Sequence, residues 1–153
     1  MNQQKTIDKL NSLLRGELAA TETYQQALEK VGPEPGASDL RSIHADHREA
    51  ANEFRKHVHK FGGKPDQGSG AWGAFAKAVA GSAKILGQTA ALKALKEGEE
   101  QGISSYEDSL KESDLPFDVR ALIQSTLAQC HAHVTLLDTL MRQPNYAKKA
   151  MHS

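Results

Sequence analysis

Apolar residues recur at alternating steps of three and four in four long segments of the chain, residues 7–31, 40–61, 92–110 and 119–140. This spacing places the apolar side chains on one face of an α-helix, where they can be buried together. No segment shows the strict alternation of apolar and polar residues that is typical of a half-buried β-strand. The pattern therefore predicts an all-α protein with four long helices.

Residues that stop or start helices separate these segments. Gly32 and Pro33 follow the first segment, and Gly62 follows the second. We expect Ser38 to be the N-cap of the second helix, because a serine hydroxyl can accept a hydrogen bond from a free backbone amide. Pro116 precedes the fourth segment, where a proline is tolerated in the first helical turn.

The link between the second and third segments is too long for a hairpin. Helices of about 25 residues are about 37 Å long, and residues 64–88 have the length needed to travel back along such a bundle. A short extra helix is expected inside this crossover at Trp72, Phe75, Ala76, Val79 and Ala83. The sequence thus predicts a single four-helix-bundle domain over residues 1–143, followed by a C-terminal tail over residues 144–153.

Composition argues against several classes of protein. Lys plus Arg and Asp plus Glu both number 19, so the formal net charge is zero and no global field attracts nucleic acid or anionic lipid. No apolar run approaches the length that spans a bilayer, so we expect no membrane partner. Cys130 is the single cysteine, and the N-terminus lacks the apolar run of a signal peptide, which favours the reducing cytoplasm. No motif for nucleophilic catalysis or for phosphate or dinucleotide binding is present, which favours a non-enzymatic role.

Each long segment carries a polar, metal-capable side chain halfway along its apolar stripe. These side chains are Glu17, His47, Glu99, and Cys130 with His133. A carboxylate or imidazole in a bundle core is costly unless it is paired, hydrogen-bonded or bound to a cation. Because one such position occurs in each helix near mid-height, the pattern predicts one shared site.

A trace of an internal repeat links the first and third segments. Glu17 precedes Tyr24 by seven residues, and Glu99 precedes Tyr106 by seven. We expect both tyrosines to pack in the core with the hydroxyl bound to a neighbouring helix. Each lies two turns from the glutamate of its own helix, which is too far for contact along that helix.

The run LNSLLRGELAATETYQQAL, residues 10–28, resembles the first helix of bacterioferritins and other ferritin-like proteins, in which a metal-ligating Glu precedes a core Tyr by seven residues. The ending FGGKP of the second segment is similar to the end of the ferritin-like second helix. Over nearly the whole chain, including GEEQGISSYEDSL at residues 98–110, the sequence more closely resembles a bacterial family of ferritin-like four-helix-bundle proteins known only as a domain of unknown function. The resemblance implies a ferritin-like fold, leaves a homo-oligomer open, and implies no activity.

The ferritin-like di-iron pattern takes one Glu from each of two helices and Glu-x-x-His from each of the other two. Carried over to this chain, the resemblance implies Glu17 and Glu99 as ligands. The second-helix motif reads His47-x-x-Ala50 here, and Cys130 replaces the bridging Glu of the fourth helix, so both bridging carboxylates are missing. This puts a two-iron centre in doubt, since bridging carboxylates hold two cations close together. The residues left to hold a single ion, such as Fe or Zn, are Glu17, His47, Glu99, His133 and Cys130.

A metal-free interpretation stays open beside this one. Glu17 with His47, and Glu99 with His133, can form two interhelical ion pairs that satisfy each other. In another alternative, a rotated second helix would let His44 bind a metal together with His47 and Glu17. The sequence therefore supports two functions: a metal-binding ferritin-like protein that handles metal or redox stress, or a non-enzymatic bundle that acts through its surface or by self-association.

Overall fold

The computed structural model describes residues 1–31, 36–68 and 88–143. The helices in these ranges are α1 (Gln3–Val31), α2 (Ala37–Lys60), α3 (Gln88–Leu110) and α4 (Phe117–Arg142). The predicted all-α four-helix fold is confirmed. The short helix expected around Trp72 and the tail over residues 144–153 lie outside the described residues. In the ranges described, none of the helices is long and apolar enough to cross a membrane.

Contacts near the helix ends show two antiparallel hairpins. The side chain of Gln3, at the start of α1, donates a hydrogen bond to the carbonyl of Phe61, just after α2. Lys96, in the first half of α3, forms an ion pair of 2.8 Å with Asp138, near the end of α4. α1 therefore runs antiparallel to α2, and α3 runs antiparallel to α4.

The two hairpins pack side by side, with α1 against α3 and α2 against α4. Lys60 at the end of α2 forms an ion pair with Asp118 at the start of α4. α2 and α3 therefore end at the same end of the bundle, and α3 begins at the other end. The end of α2 and the start of α3 therefore lie at opposite ends of the bundle.

The predicted stop of α2 is confirmed, but its predicted start is wrong. Gly62 follows the helix with φ of 83°, in the left-handed region that glycine adopts most readily. At the other end α2 begins at Ala37, after Gly36 with φ of 90°, and no side chain caps it. Ala37 is buried in the bundle core, so packing draws it into the helix ahead of Ser38.

Buried apolar side chains form two clusters, one toward each end of the bundle. The first contains Leu14 of α1, Ala51 and Phe54 of α2, Tyr106 of α3 and Ile123 of α4. The second contains Tyr24 of α1, Ile43 of α2, Leu95 of α3 and Leu137 of α4. On each helix a buried polar residue lies between the two clusters. A polar layer of ionisable side chains therefore crosses the middle of the core, between the two apolar clusters.

Candidate metal centre

The four helices each place one buried ionisable side chain in this middle layer. Glu17, His47, Glu99 and His133 are each no more than 4% exposed. They are the positions at which the apolar stripes of the sequence are interrupted, and the bundle brings all four into one connected network. Their environment is therefore the protein interior, where each charge needs a partner.

His47 contacts a glutamate through each of its two ring nitrogens. Nδ1 lies 2.6 Å from Oε2 of Glu17, and Nε2 lies 2.7 Å from Oε1 of Glu99. Because an ionised carboxylate only accepts hydrogen bonds, both ring nitrogens donate protons and the ring is an imidazolium. Burial alone would lower the pKa of His47, but the charge and hydrogen bond of Glu17, joined by those of Glu99, raise it to about 10.

Glu99 lies at the centre of the network. Its Oε1 accepts hydrogen bonds of 2.7 Å from the Tyr24 hydroxyl and from Nε2 of His47, and Nδ1 of His133 lies 3.3 Å from the same oxygen. Burial would raise the pKa of Glu99, but hydrogen bonds from His133 and His47 outweigh it and lower the pKa to about 2. Glu99 is therefore ionised at neutral pH although it is buried.

The far side of the His133 ring is held by a residue that the sequence did not single out. Nε2 of His133 lies 2.8 Å from Oδ2 of Asp46 on α2, whose side chain is 43% exposed at the edge of the bundle. Asp46 directly precedes His47 and therefore lies outside the apolar stripe of α2. Its position next to His47 was the only feature of the sequence that could have identified it. The predicted pair of Glu99 with His133 is present, but His133 also has this second carboxylate.

The two tyrosines of the internal repeat bind the glutamates of each other's helices. The Tyr24 hydroxyl donates to Glu99 over 2.7 Å, and the Tyr106 hydroxyl donates to Glu17. Burial and the neighbouring glutamate raise the pKa of both hydroxyls well above their ordinary value. Spacing along one helix placed each tyrosine out of reach of its own glutamate. That spacing could not predict the contact of each tyrosine with the glutamate of the other helix.

Cys130 lies beside this network as a buried thiol with 2% exposure. Burial, together with the charges of Glu99 and Glu17, raises its pKa far above the ordinary value. The thiol is therefore protonated in the metal-free protein and packs as a small apolar side chain in the first core cluster.

Three of the five residues predicted as metal ligands form a compact group. Each of His47, Glu99 and His133 offers one ligand atom, and these atoms all lie within 4.8 Å of one another. Glu17 reaches this group through Nδ1 of His47, and Cys130 lines the same cavity as His47 and Glu99. Within the described part of the chain, this is the group of histidine, cysteine and acidic side chains close enough to share an ion.

His44, the alternative ligand on α2, is not in this group. Its side chain is partly buried, and its Nε2 is the one buried side-chain nitrogen or oxygen without a hydrogen-bond partner in the described ranges. Burial lowers the pKa of His44, as do the charges of Arg48 and His47. Glu17 and His47 therefore meet without His44, and α2 has the rotation that the apolar stripe indicates.

A cavity of about 110 Å³ lies between α1 and α3 and reaches the polar layer. Its floor includes Glu17, His47, Glu99 and the two tyrosines, and its walls include Leu13, Ala20 and Leu95. Residues at its mouth, such as Gly16 and Gly102, are partly exposed, so the cavity opens toward the protein surface.

Comparison with known proteins gives a family but no characterised relative. The family described as Domain of unknown function (DUF2383) matches residues 5–112. The match covers α2, α3 and nearly all of α1 and includes Glu17, His47 and Glu99, whereas His133 on α4 lies beyond it. No curated protein and no solved structure matches the chain. Because the matched region is more than half of the sequence, the chain belongs to the DUF2383 family.

Proposed function

We propose that this protein binds one divalent transition-metal ion in the middle of its bundle, with His47, Glu99 and His133 as ligands. The observation that supports this proposal most directly is that three side chains from three helices place their ligand atoms within 4.8 Å of one another. Glu17 and Cys130 complete the predicted set as close neighbours of the ion, with Glu17 acting through the His47 ring.

The partners of the three ligands support this proposal. Nδ1 of His47 faces Glu17, and Nε2 of His133 faces Asp46, so each imidazole has one nitrogen held by a carboxylate and the other directed at Glu99. Carboxylates in this position fix the orientation and raise the basicity of metal-bound histidines. Glu99 is held in turn by the hydroxyl of Tyr24. The site therefore has the orienting partners that a metal centre needs, in addition to its ligands.

The donor set suits one ion and not two. Two imidazoles and one carboxylate are a known ligand set for Zn²⁺ and for non-haem Fe²⁺, and both sites leave positions open for a further ligand. A pair of ions would need bridging carboxylates, but His47 and Cys130 stand at those positions. Binding of the ion requires His47 to lose its Nε2 proton, after which its Nδ1 proton still binds Glu17.

The architecture supports a ferritin-like assignment and, with it, a role in metal or redox stress handling. Two antiparallel hairpins are separated in the sequence by residues 61–87, and the Glu-x₆-Tyr spacing of α1 recurs in α3. The free, buried thiol of Cys130 is compatible with the reducing cytoplasm of a bacterium. Self-association through a helix face is part of the same proposal.

Metal content measured on matched histidine variants tests the proposal. His133 and His131 lie on the same helix, but His133 is buried in the network and His131 is exposed. After loading with Zn²⁺ and gel filtration, the parent protein and His131→Gln should each hold about one equivalent of metal. His133→Gln and Glu99→Gln should lose it while their circular dichroism stays helical. Equal metal content in His131→Gln and His133→Gln would refute the assigned site.

A metal-free polar layer that fixes helix register is the second candidate function. The observation in its favour is that both nitrogens of His47 already bind carboxylates at hydrogen-bond distance. If this is the role, the parent protein will take up no Zn²⁺. His47→Gln will then lower the free energy of unfolding without any change in metal content.

A further inference from the structure

The cavity between α1 and α3 connects the candidate metal centre to the protein surface. His47 and Glu99 both line its floor, so an ion held by these two residues borders the cavity. The mouth of the cavity is formed by Ser12, Gly16 and Gly102, which are partly or fully exposed. A molecule from solvent can therefore approach the ion from one defined side of the bundle.

Two glycines inside helices keep this cavity open, and helix packing does not require either of them. A Cβ atom added at Gly16 would have no neighbour within 4 Å, and one added at Gly102 would lie 3.9 Å from the Cys130 sulfur, an ordinary contact. Neither glycine has a positive φ. Glycine in a helix interior lowers stability relative to alanine, because its backbone loses more conformational freedom on folding. Glycine at these two positions therefore lowers stability, but it leaves space above the polar layer that a side chain would fill.

The size and charge of the cavity restrict what can fill it. A cavity of about 150 Å³ can hold benzene, so the 110 Å³ found here suits a molecule of about four or five non-hydrogen atoms. Glu17 and Glu99 are the two glutamates that line the cavity, and a divalent ion would offset their two negative charges. The side walls include the apolar residues Leu13 and Leu95. A net charge on the incoming molecule would be buried without a counter-charge, which favours a neutral molecule.

We propose that the cavity between α1 and α3 is a binding site for a small neutral molecule that carries a lone-pair nitrogen or oxygen donor, which it presents to the metal ion. This inference rests on the proposed function, because the donor atom takes an open position on the ion held by His47, Glu99 and His133. The cavity determines the side from which the ligand reaches the ion, the largest size of that ligand and its chemical class.

Imidazole binding to the Co²⁺-loaded protein tests this inference, because imidazole is small and presents a lone-pair nitrogen, and the visible spectrum of Co²⁺ reports its ligands. The parent protein should show a saturable spectral change as imidazole is added. Gly102→Leu places a side chain above the Cys130 sulfur and should raise the apparent Kd for imidazole at least about tenfold. Ser104→Leu adds the same side chain at an exposed position of α3 and should behave like the parent.

Gly16→Leu fills the cavity from α1 and provides the test if Gly102→Leu fails to fold. Each variant must first bind one equivalent of Co²⁺ with the spectrum of the parent, which shows that the metal ligands are intact. The inference is overturned, and the metal site left standing, if the parent shows no imidazole response or if both cavity-filling variants bind imidazole as tightly as the parent. A parent protein that binds no Co²⁺ overturns the proposed function and this inference together.

Discussion

The Tyr24 hydroxyl donates a 2.7 Å hydrogen bond to Glu99, which lies 75 positions further along the chain. Tyr106 makes the corresponding bond to Glu17, so the two hairpins exchange equivalent contacts across the interface of α1 with α3. Each glutamate is thus held by the tyrosine of the other hairpin and by His47. The internal repeat seen in the sequence therefore places a buried tyrosine hydroxyl, as a hydrogen-bond donor, opposite each buried carboxylate.

The exchanged tyrosines give a prediction that separates stability from metal binding. Tyr24→Phe and Tyr106→Phe each remove one hydrogen bond to a buried carboxylate, and each should lower the free energy of unfolding by about 1–3 kcal/mol. Only Tyr24 contacts a proposed ligand, so Tyr24→Phe should also weaken Co²⁺ binding, by about tenfold. Urea denaturation of the metal-free proteins and Co²⁺ titration measure the two effects. A larger loss of affinity in Tyr106→Phe would contradict the ligand assignment.

Asp46 should affect metal affinity more than it affects stability. Its side chain is 43% exposed, so water can replace its hydrogen bond to His133 when it is removed. Asp46→Ala should weaken Zn²⁺ binding by about 10–100-fold, because the His133 ring loses its orienting partner. Glu49→Ala removes an exposed acid from the same helix and serves as the control. Competition with a chromophoric chelator gives both affinities, and equal affinities would exclude the orienting role of Asp46.

The stability of the metal-free protein should fall as the pH rises above neutrality. The pKa of His47 is about 10 in the folded protein and near 6.5 in the unfolded chain, so between these values only the folded state holds the proton. The stability from this proton is complete below the unfolded pKa and is lost as the pH rises through the folded pKa. Its slope approaches about 1.4 kcal/mol per pH unit.

Urea unfolding at a series of pH values, in the presence of a chelator, measures this slope. His47→Gln should remove most of the pH dependence, whereas His59→Gln, at an exposed position of the same helix, should keep it. The idea that His47 is an imidazolium fails if the parent and His47→Gln lose stability in parallel over this range.

Metal affinity should rise with pH over the same interval. Binding of the ion at Nε2 of His47 displaces one proton, and the pKa of about 10 means that this proton is present at neutral pH. The Kd for Co²⁺ should therefore fall about tenfold per pH unit between about pH 6.5 and 8. Glu99, with a pKa of about 2, adds no proton competition in this window. Isothermal titration calorimetry in buffers of different ionisation enthalpy counts the released protons.

Two glycines should respond oppositely to the same substitution. Gly16→Ala should stabilise the fold by about 0.5–1 kcal/mol, because an added Cβ meets nothing within 4 Å and the helix interior favours alanine. Gly63→Ala should destabilise it by about 1–3 kcal/mol, since its Cβ would lie 2.6 Å from Cγ2 of Ile7. Thermal unfolding of the two variants decides this. A Gly16→Ala protein that is less stable than the parent would show that this position is tightly packed.

The sequence by itself determined the four helices and the faces that they bury. Apolar spacing depends only on the helical period, so it identified the stripes and also the interruptions at Glu17, His47, Glu99 and His133. The length of the link after α2 likewise predicted that α2 ends and α3 begins at opposite ends of the bundle. These features are local, or depend only on distance along the chain, and a sequence records both.

The tertiary structure alone decided which polar side chains meet. Asp46 lies off the apolar stripe, and its bond to His133 depends on how α2 is placed against α4. Tyr24 and Glu99 come together because α1 and α3 run antiparallel with a particular stagger. A shift of one residue along either helix would move a side chain about 1.5 Å and rotate it about 100°. Spacing within one helix carries no information about that stagger, and so the pairing within the polar layer could not be predicted from the sequence.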